Sequence, residues 1–306
     1  FASLPESLPE ISSEDLKSPE NFRLIGHSVP RRDVAEKVIG SAAYSINENP
    51  PGLVHCIAVR SPIMNAKVLK LDDSAARQIT GVEDVITREH SVLVVADNYY
   101  QALEARRLLK IEWSRVGDVN DYDSEQAMQE HMALARKEEE DDYVWHEQGD
   151  VRAEFDKSKK IISREYQTDY VYHAQIEPLN ATVWVKEGGK EAEVWVGTQA
   201  PSVSLNAVAR VTGINKENIT VHRSMVGGGF GRRGLYEMDF VVDAAWLSNL
   251  LQKPVKVIWS REDDVAAGWF KPMSAQKIKA AIDEDGYISA WQHRVAVQEP
   301  LATSET

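Results

Sequence analysis

One cysteine, Cys56, stands among 306 residues. A lone thiol excludes an internal disulfide and any four-cysteine zinc or iron–sulfur centre. If the chain takes part in redox chemistry, the electrons leave through another subunit. Cys56 itself lies in the apolar run Leu53 to Val59, which predicts a buried strand residue rather than a reactive thiolate. The eight histidines are scattered, and none shows the paired spacing of a zinc site. Basic residues are the minority, 35 Lys and Arg against 48 Asp and Glu, for a formal charge of -13. That balance excludes a general affinity for nucleic acid phosphates, so any bound anion must be met locally. No apolar run approaches the roughly 18 residues of a membrane span, and no basic-apolar-small pattern marks a signal peptide. A Gly-x-Ser-x-Gly elbow, a Walker lysine and internal repeats are also missing.

What remains is an ordinary globular composition, with 43% hydrophobic residues in a chain long enough for two domains. Phe1 in place of Met, followed by the linker-like Leu4-Pro5-Glu6-Ser7-Leu8-Pro9-Glu10, predicts a piece of a longer polypeptide, with 1–20 as linker. Residues 21–116 read as a small α/β domain. Its strands are expected at Val54 to Val59, Lys67 to Leu71, Asp84 to Thr87, Val92 to Ala96 and Lys110 to Trp113, with a short helix at Ser74 to Ile79. Asn98 is expected to cap a helix over Tyr99 to Leu108. Residues 117–150 read as a connecting helix, capped at Ser124 with Met128 and Met132 on one face, and an acidic linker. The acidic run Lys137 to Asp142 is a solvated helix end rather than a metal site.

Residues 151–306 carry longer strands, at Ile161 to Tyr166, Ala181 to Val185, Ala192 to Val196 and Val255 to Trp259. Gln276 to Ile282 and Ile288 to Val297 predict a hairpin turning at Asp285-Gly286. Pro201 opens a helix to Val211 with Gly213 just past its end, and Arg261 to Asp264 reads as a turn. Between an entering strand at Ile219 to His222 and a departing helix at Leu235 to Leu250 lies Gly227-Gly228-Gly229-Phe230-Gly231. Four glycines there allow positive φ and close backbone approach, so several N–H groups can face one oxygen or phosphate. An anion nest and a tight turn without ligand both fit that composition. His173 beside Glu177 fits a structural or a functional role equally.

Three elements in order make the loop more specific: His173-Ala174-Gln175-Ile176-Glu177-Pro178-Leu179-Asn180, then Val196-Gly197-Thr198-Gln199-Ala200-Pro201, then the glycines. With Lys253-Pro254-Val255-Lys256-Val257-Ile258-Trp259-Ser260-Arg261-Glu262-Asp263, they resemble the molybdenum-binding subunit of the xanthine dehydrogenase and aldehyde oxidase superfamily. Lys37 to Tyr44 and Val59-Arg60-Ser61-Pro62 resemble the hammerhead domain that precedes the cofactor domain there. Phe22-Arg23-Leu24-Ile25-Gly26, Pro30 to Asp33, Phe230 to Arg233 and Ala290 to Arg294 resemble the branch formed by the beta subunits of isoquinoline 1-oxidoreductase. The resemblance covers nearly the whole chain.

It implies an α+β fold, a hammerhead domain at 21–116 followed by part of a mixed α/β molybdenum-cofactor-binding domain at 151–306. The cofactor implied is a molybdenum pterin in its cytosine dinucleotide form. Gln199 aligns with the glutamine that hydrogen-bonds an oxygen of the metal centre; its other reading is a strand-end cap. Phe230 and Gly231 align with residues lying against that centre, Gly227, Gly228 and Gly229 with the pterin cradle, and Arg232 or Arg233 would neutralise a phosphate. The full-length subunit would oxidise an aromatic N-heterocycle or an aldehyde with water as oxygen source, passing electrons to a small iron–sulfur subunit. Its relatives' export signals imply a periplasmic location.

Two departures stand out. Purine-oxidising relatives follow the loop with Gly-Lys-Glu, whereas Arg232-Arg233-Gly234 stand here, which argues against purine specificity. The family's glutamate base, in a Gly-x-Gly-Glu stretch, has no match in these residues. A non-catalytic structural or subunit-interaction module, and nucleotide binding at the loop without molybdenum, are the rival readings.

Overall fold

The computed structural model describes residues 10–117, 121–137 and 143–298. The opening Leu4 to Pro9 and the acidic residues 138–142 lie outside the described residues. Two units divide the chain, Phe1–Ala42 and Ala43–Thr306. In the first, a short α-helix, α1 (Val34–Ile39), ends at Gly40. Asp33 at its start accepts from both Arg31 and Lys37.

The second unit is built on a seven-stranded mixed sheet. Its members are β1 (Val54–Arg60), β3 (Val82–Thr87), β4 (Ser91–Ala96), β7 (Asn180–Val185), β8 (Ala192–Val196), β9 (Ile219–Arg223) and β10 (Pro254–Ile258), in the order β3-β4-β1-β10-β7-β8-β9. β1 runs parallel to β10 and β8 parallel to β9, while the other pairs are antiparallel. Every residue of the central β10 is buried, as its run of Val255, Val257 and Ile258 demands.

Strand alternation sends two sets of side chains to opposite faces. Cys56, Ala58, Leu93 and Val95 meet α6 (Asp239–Leu251), which presents Phe240, Val241, Ala244 and Leu247, and α5 (Pro201–Thr212) adds Ala207 and Val208. Ile57, Val92, Val94 and Ala96 meet Ala102 and Ala105 of α2 (Tyr99–Arg107) on the other side. Each fully buried aliphatic side chain in these layers contributes about 1.5–3 kcal/mol. The short pair β2 (Val68–Asp72) and β5 (Lys110–Trp113) packs Leu71 and Ile111 onto the α2 layer.

A separate three-stranded sheet, β12-β11-β6, joins β6 (Ile161–Thr168), β11 (Ser274–Ile282) and β12 (Ile288–Val297). One face carries α3 (Ser124–Arg136), with Met128 and Ala135 against Met273 and Ala275. Beside it lies α4 (Val151–Lys157), with Phe155 against Ala281. Met132 packs against the same cluster as Met128, as the helical spacing predicts. A final helix, α7 (Arg261–Ala267), follows β10.

Several expectations are corrected. Asp123, not Ser124, caps α3, because its carboxylate accepts from the N–H groups of Glu125 and Gln126. Arg261 to Asp264 is the first turn of α7 rather than a turn, since Ser260 and Asp263 form a reciprocal capping box. The helix after the glycine loop starts at Asp239 instead of Leu235, and the expected helix at Ser74 to Ile79 is one 3-10 turn, Ala76–Gln78. The large sheet takes strands from both sides of Val116. β1, from before that point, pairs with β10, from far beyond it.

Candidate functional site

The strand directions bring the motifs together. β8 and β9 end at the same edge of the sheet at which the antiparallel β7 begins, with Val196 paired to both Ala181 and Arg223. β10 also ends there, Ile258 opposite Asn180. Gln175 to Asn180, Gly197 to Gln199, the glycine loop and the start of α7 thus share one rim, at the carboxyl ends of β8, β9 and β10. Ligands of open α/β sheets commonly sit at such a place.

Glu177 binds the loop to that rim. Its side chain is buried, and Oε1 accepts from Ser45 Oγ at 3.1 Å, Ile46 N at 3.4 Å and Asn180 Nδ2 at 3.0 Å. Oε2 accepts from Gly227 N at 2.9 Å and stands 3.2 Å from Arg233 Nη2. Gly227 O in turn accepts the Glu177 N–H at 3.0 Å. A Cβ at Gly227 would collide with the Glu177 Cβ, so close approach here requires glycine.

The two arginines after the loop face inward. Arg233 is fully buried and donates to the carbonyls of Gly228, Gly197, Glu177 and Pro178 at 2.9–3.1 Å. Arg232, also buried, reaches Asp239 at 2.9 Å, lies over the Trp259 ring at 5.3 Å and has Nε 3.7 Å from Asp264 Oδ1. Asp264 receives Tyr172 OH at 2.8 Å and the Gln175 side-chain amide. Both guanidinium groups are buried beneath the loop, and Arg232 keeps Nε and Nη1 without a hydrogen-bond partner. Opposite charges beneath the loop hold them inside.

Gln199 is exposed, and its Oε1 accepts the Gly231 N–H at 2.9 Å, which leaves its two amide donors for another partner. A Cβ at Gly229 would stand 2.5 Å from that same Oε1. Phe230 is 60% exposed with φ 52, a left-handed conformation that a bulky residue adopts only under constraint, and Gly231 follows at φ 107. Among the described residues, the N–H groups of Gly228, Gly229 and Phe230 donate to no protein acceptor. Three consecutive backbone donors beside a side-chain amide and an aromatic face can receive an oxygen-rich, flat ligand.

His173 borders the loop from the other side. Its Nδ1 lies 3.0 Å from Trp269 O, and because a carbonyl only accepts, Nδ1 carries the proton and Nε2 the lone pair. Burial lowers the imidazole pKa, opposed by the Trp269 carbonyl, so the neutral form is favoured. Sequence reasoning did not reach Asp239 and Asp264 as partners of Arg232; the Ser-Arg-Glu-Asp-Asp helix start, where acids are favoured, was the available signal. Hollows of about 150 Å3 beside Arg60, Arg106 and Asp263, and about 310 Å3 beside Lys160 and Asp283, lie away from the loop. The first borders Glu262 and Asp263 at the start of α7, and neither is lined by the glycine loop, Gln199 or Glu177.

Comparison with known proteins bears on this arrangement. The chain is 37% identical over 293 residues to the beta subunit of isoquinoline 1-oxidoreductase from Brevundimonas diminuta, covering 94% of this chain and 37% of that protein. It is 28% identical to a nicotinate dehydrogenase subunit of Pseudomonas putida, over 92% of this chain and 24% of that protein. Among solved structures, quinoline 2-oxidoreductase from Pseudomonas putida 86 superposes with a TM-score of 0.67 at 20% identity, covering 88% of this chain and 39% of that one. The chain thus spans under two-fifths of the length of these relatives. The molybdopterin cofactor-binding domain matches residues 135–301, more than half of the chain and all three converging segments. The chain therefore belongs to the molybdopterin cofactor-binding domain family.

Proposed function

We propose that the glycine loop and the Gln199 amide form one wall of a site for a molybdenum pterin, in its cytosine dinucleotide form, and that the full-length subunit is a molybdenum hydroxylase. Its substrates are aromatic N-heterocycles or aldehydes, with water as the oxygen source. The observation that carries this reading is the meeting of Gln199 with Gly229 and Gly231, beside three backbone N–H groups that no protein acceptor takes among the described residues. The donor set suits the cofactor. Amides donate to oxygen and phosphate without adding charge, and the exposed Phe230 ring offers a flat apolar surface.

When bound, the cofactor supplies the redox chemistry, oxygen from water entering the product and two electrons leaving the substrate. The chain's own residues orient and polarise. Fixed backbone donors at the loop cost no reorganisation as charge develops. Glu177 and Asp239 are each committed to an arginine, and Asp264 is buried with Tyr172 and Gln175 bonded to its Oδ2. The proton-accepting glutamate of the reading lies in the remainder of the full-length subunit. In the same reading, residues 21–116 are the hammerhead domain, a small iron–sulfur subunit takes the electrons, and the enzyme works in the periplasm.

The test is elemental analysis for molybdenum and heterocycle-dependent dye reduction on the full-length protein with its small subunit. Stoichiometric metal with turnover is expected; no metal and no turnover would refute the reading. Q199E sharpens it, because glutamate keeps the acceptor for Gly231 and loses both amide donors. Molybdenum retention should fall roughly tenfold, the scale of a lost buried hydrogen bond, with the thermal midpoint held near wild type.

A further inference from the structure

One buried titratable side chain beside the loop has a free acceptor that the proposed function leaves unused. His173 is 8% exposed, and its Nδ1 is occupied by the Trp269 carbonyl. Its Nε2 lies 3.6 Å from where a Gly231 Cβ would stand, and Cδ2 lies 3.8 Å away. Gly231 is thus flanked by the Gln199 amide on one side and by an imidazole lone pair on the other. No described residue donates to Nε2. Nε2 is not among the buried atoms left without a partner, so it is open to solvent, where a bound group can reach it.

We propose that His173 Nε2 is a ligand-facing acceptor, receiving an N–H or O–H from the group held on the glycine loop. This rests on the proposed function and adds the opposite half of the recognition. Gln199 and the loop amides donate to oxygen atoms, whereas His173 accepts from a proton-bearing atom. A ligand carrying both kinds of group, as a pterin ring does, can satisfy the two sides at once. A purely anionic ligand such as inorganic phosphate would satisfy only the donors. The buried Arg232 guanidinium and the nearby Lys271 ammonium bias the imidazole toward its neutral, accepting form, and Asp264 opposes them less strongly.

Two isosteric substitutions separate the ring nitrogens. In H173N the amide can keep a donor on the Trp269 carbonyl while the Nε2 position is lost; in H173Q the longer amide reaches the Nε2 position. In the full-length protein with its small subunit, H173N should retain roughly five- to tenfold less molybdenum and pterin than wild type after dialysis. H173Q should stay within about twofold of wild type, and both should melt close to it. Equal retention in H173N and wild type, or an equal fall in both variants, overturns the assignment.

A second readout does not depend on turnover. Carbethoxylation of His173 by diethyl pyrocarbonate, followed by peptide mass spectrometry, should proceed in protein made without the cofactor and be suppressed in loaded protein. An unreactive His173 in the cofactor-free protein, or equal reaction in both, overturns the inference. Protein that never acquires molybdenum refutes the proposed function instead. In that case reactivity of His173 still supports an open acceptor at the loop, and its absence removes it.

Discussion

Replacing Glu177 by glutamine tests whether one carboxylate holds the loop to the sheet rim. The carboxylate accepts five contacts, three on Oε1 and two on Oε2. An amide of the same shape keeps one oxygen and turns the other into an NH2 donor. If the NH2 faces Gly227 N and Arg233, two charge-assisted bonds are lost and donors oppose donors. If it faces Ser45, Ile46 and Asn180, three acceptances are lost instead. Bonds to a charged group contribute about 1.5–3 kcal/mol each, and removing one partner of a buried pair costs about 3–5 kcal/mol. Arg233 keeps its four carbonyl acceptors, so the lower end applies, about 3 kcal/mol. Urea unfolding of the purified full-length protein should show that loss, and limited proteolysis should cut near Gly227 to Gly231 first. As a control, E193Q alters the partly exposed pairing with Lys186 and His222 and should cost under about 1 kcal/mol. An E177Q protein within about 1 kcal/mol of wild type, with an intact loop, would refute the reasoning.

Three further outcomes are expected. Lys256 is buried in β10 and donates to Ile46 O and Asn49 Oδ1, and burial pushes its ammonium down to about 8. Between about 8 and the ordinary 10.5 the unfolded chain holds a proton that the folded chain has shed, so this group's stability is gained as pH rises and lost as pH falls through about 8. The urea midpoint of wild type should therefore rise relative to K256M between about pH 7.5 and pH 9.5, and a constant difference would contradict it. G227A should destabilise by about 1–3 kcal/mol through its clash with Glu177, whereas G234A, 3.6 Å from Gln199 Cβ, should melt near wild type; equal melting of the two would exclude the clash. Burial raises the Cys56 thiol pKa, so it should stay unreactive to a disulfide reagent at mildly alkaline pH until the protein is denatured; prompt reaction in the native protein would contradict its burial.

The sequence was legible where periodicity and punctuation agreed. The strands at Ala192 to Val196 and Lys110 to Trp113, the Asn98 cap and the Pro201 to Gly213 helix follow from side-chain pattern and cap chemistry alone, and all occur. The loop's neighbours were legible too, because glycine composition between a strand and a helix is local information. What escaped was set by contacts distant in the chain. The parallel pairing of β1 with β10 joins segments about 200 residues apart, and no local pattern near Val116 announces that the sheet continues. Asp123 over Ser124 as a cap turns on one residue of register, which both side chains satisfy on paper.

Read from composition, Arg232 and Arg233 are the natural anion partners in a chain of charge -13. In the structure both are buried. A guanidinium taken out of water needs pairing: Arg233 finds it in Glu177 and four backbone carbonyls, whereas Arg232 bonds Asp239 through one nitrogen, has Asp264 nearby, and keeps Nε and Nη1 without a hydrogen-bond partner. Once committed there, the arginines tie down the backbone on both sides of Phe230, whose φ of 52 needs such constraint. In the proposed reading, recognition at the surface then falls to uncharged donors, the N–H groups of Gly228 to Phe230 and the Gln199 amide. Charge ties the loop down from below, and on the proposed function its neutral upper face would hold a multiply charged, oxygen-rich ligand by geometry rather than by a counter-ion.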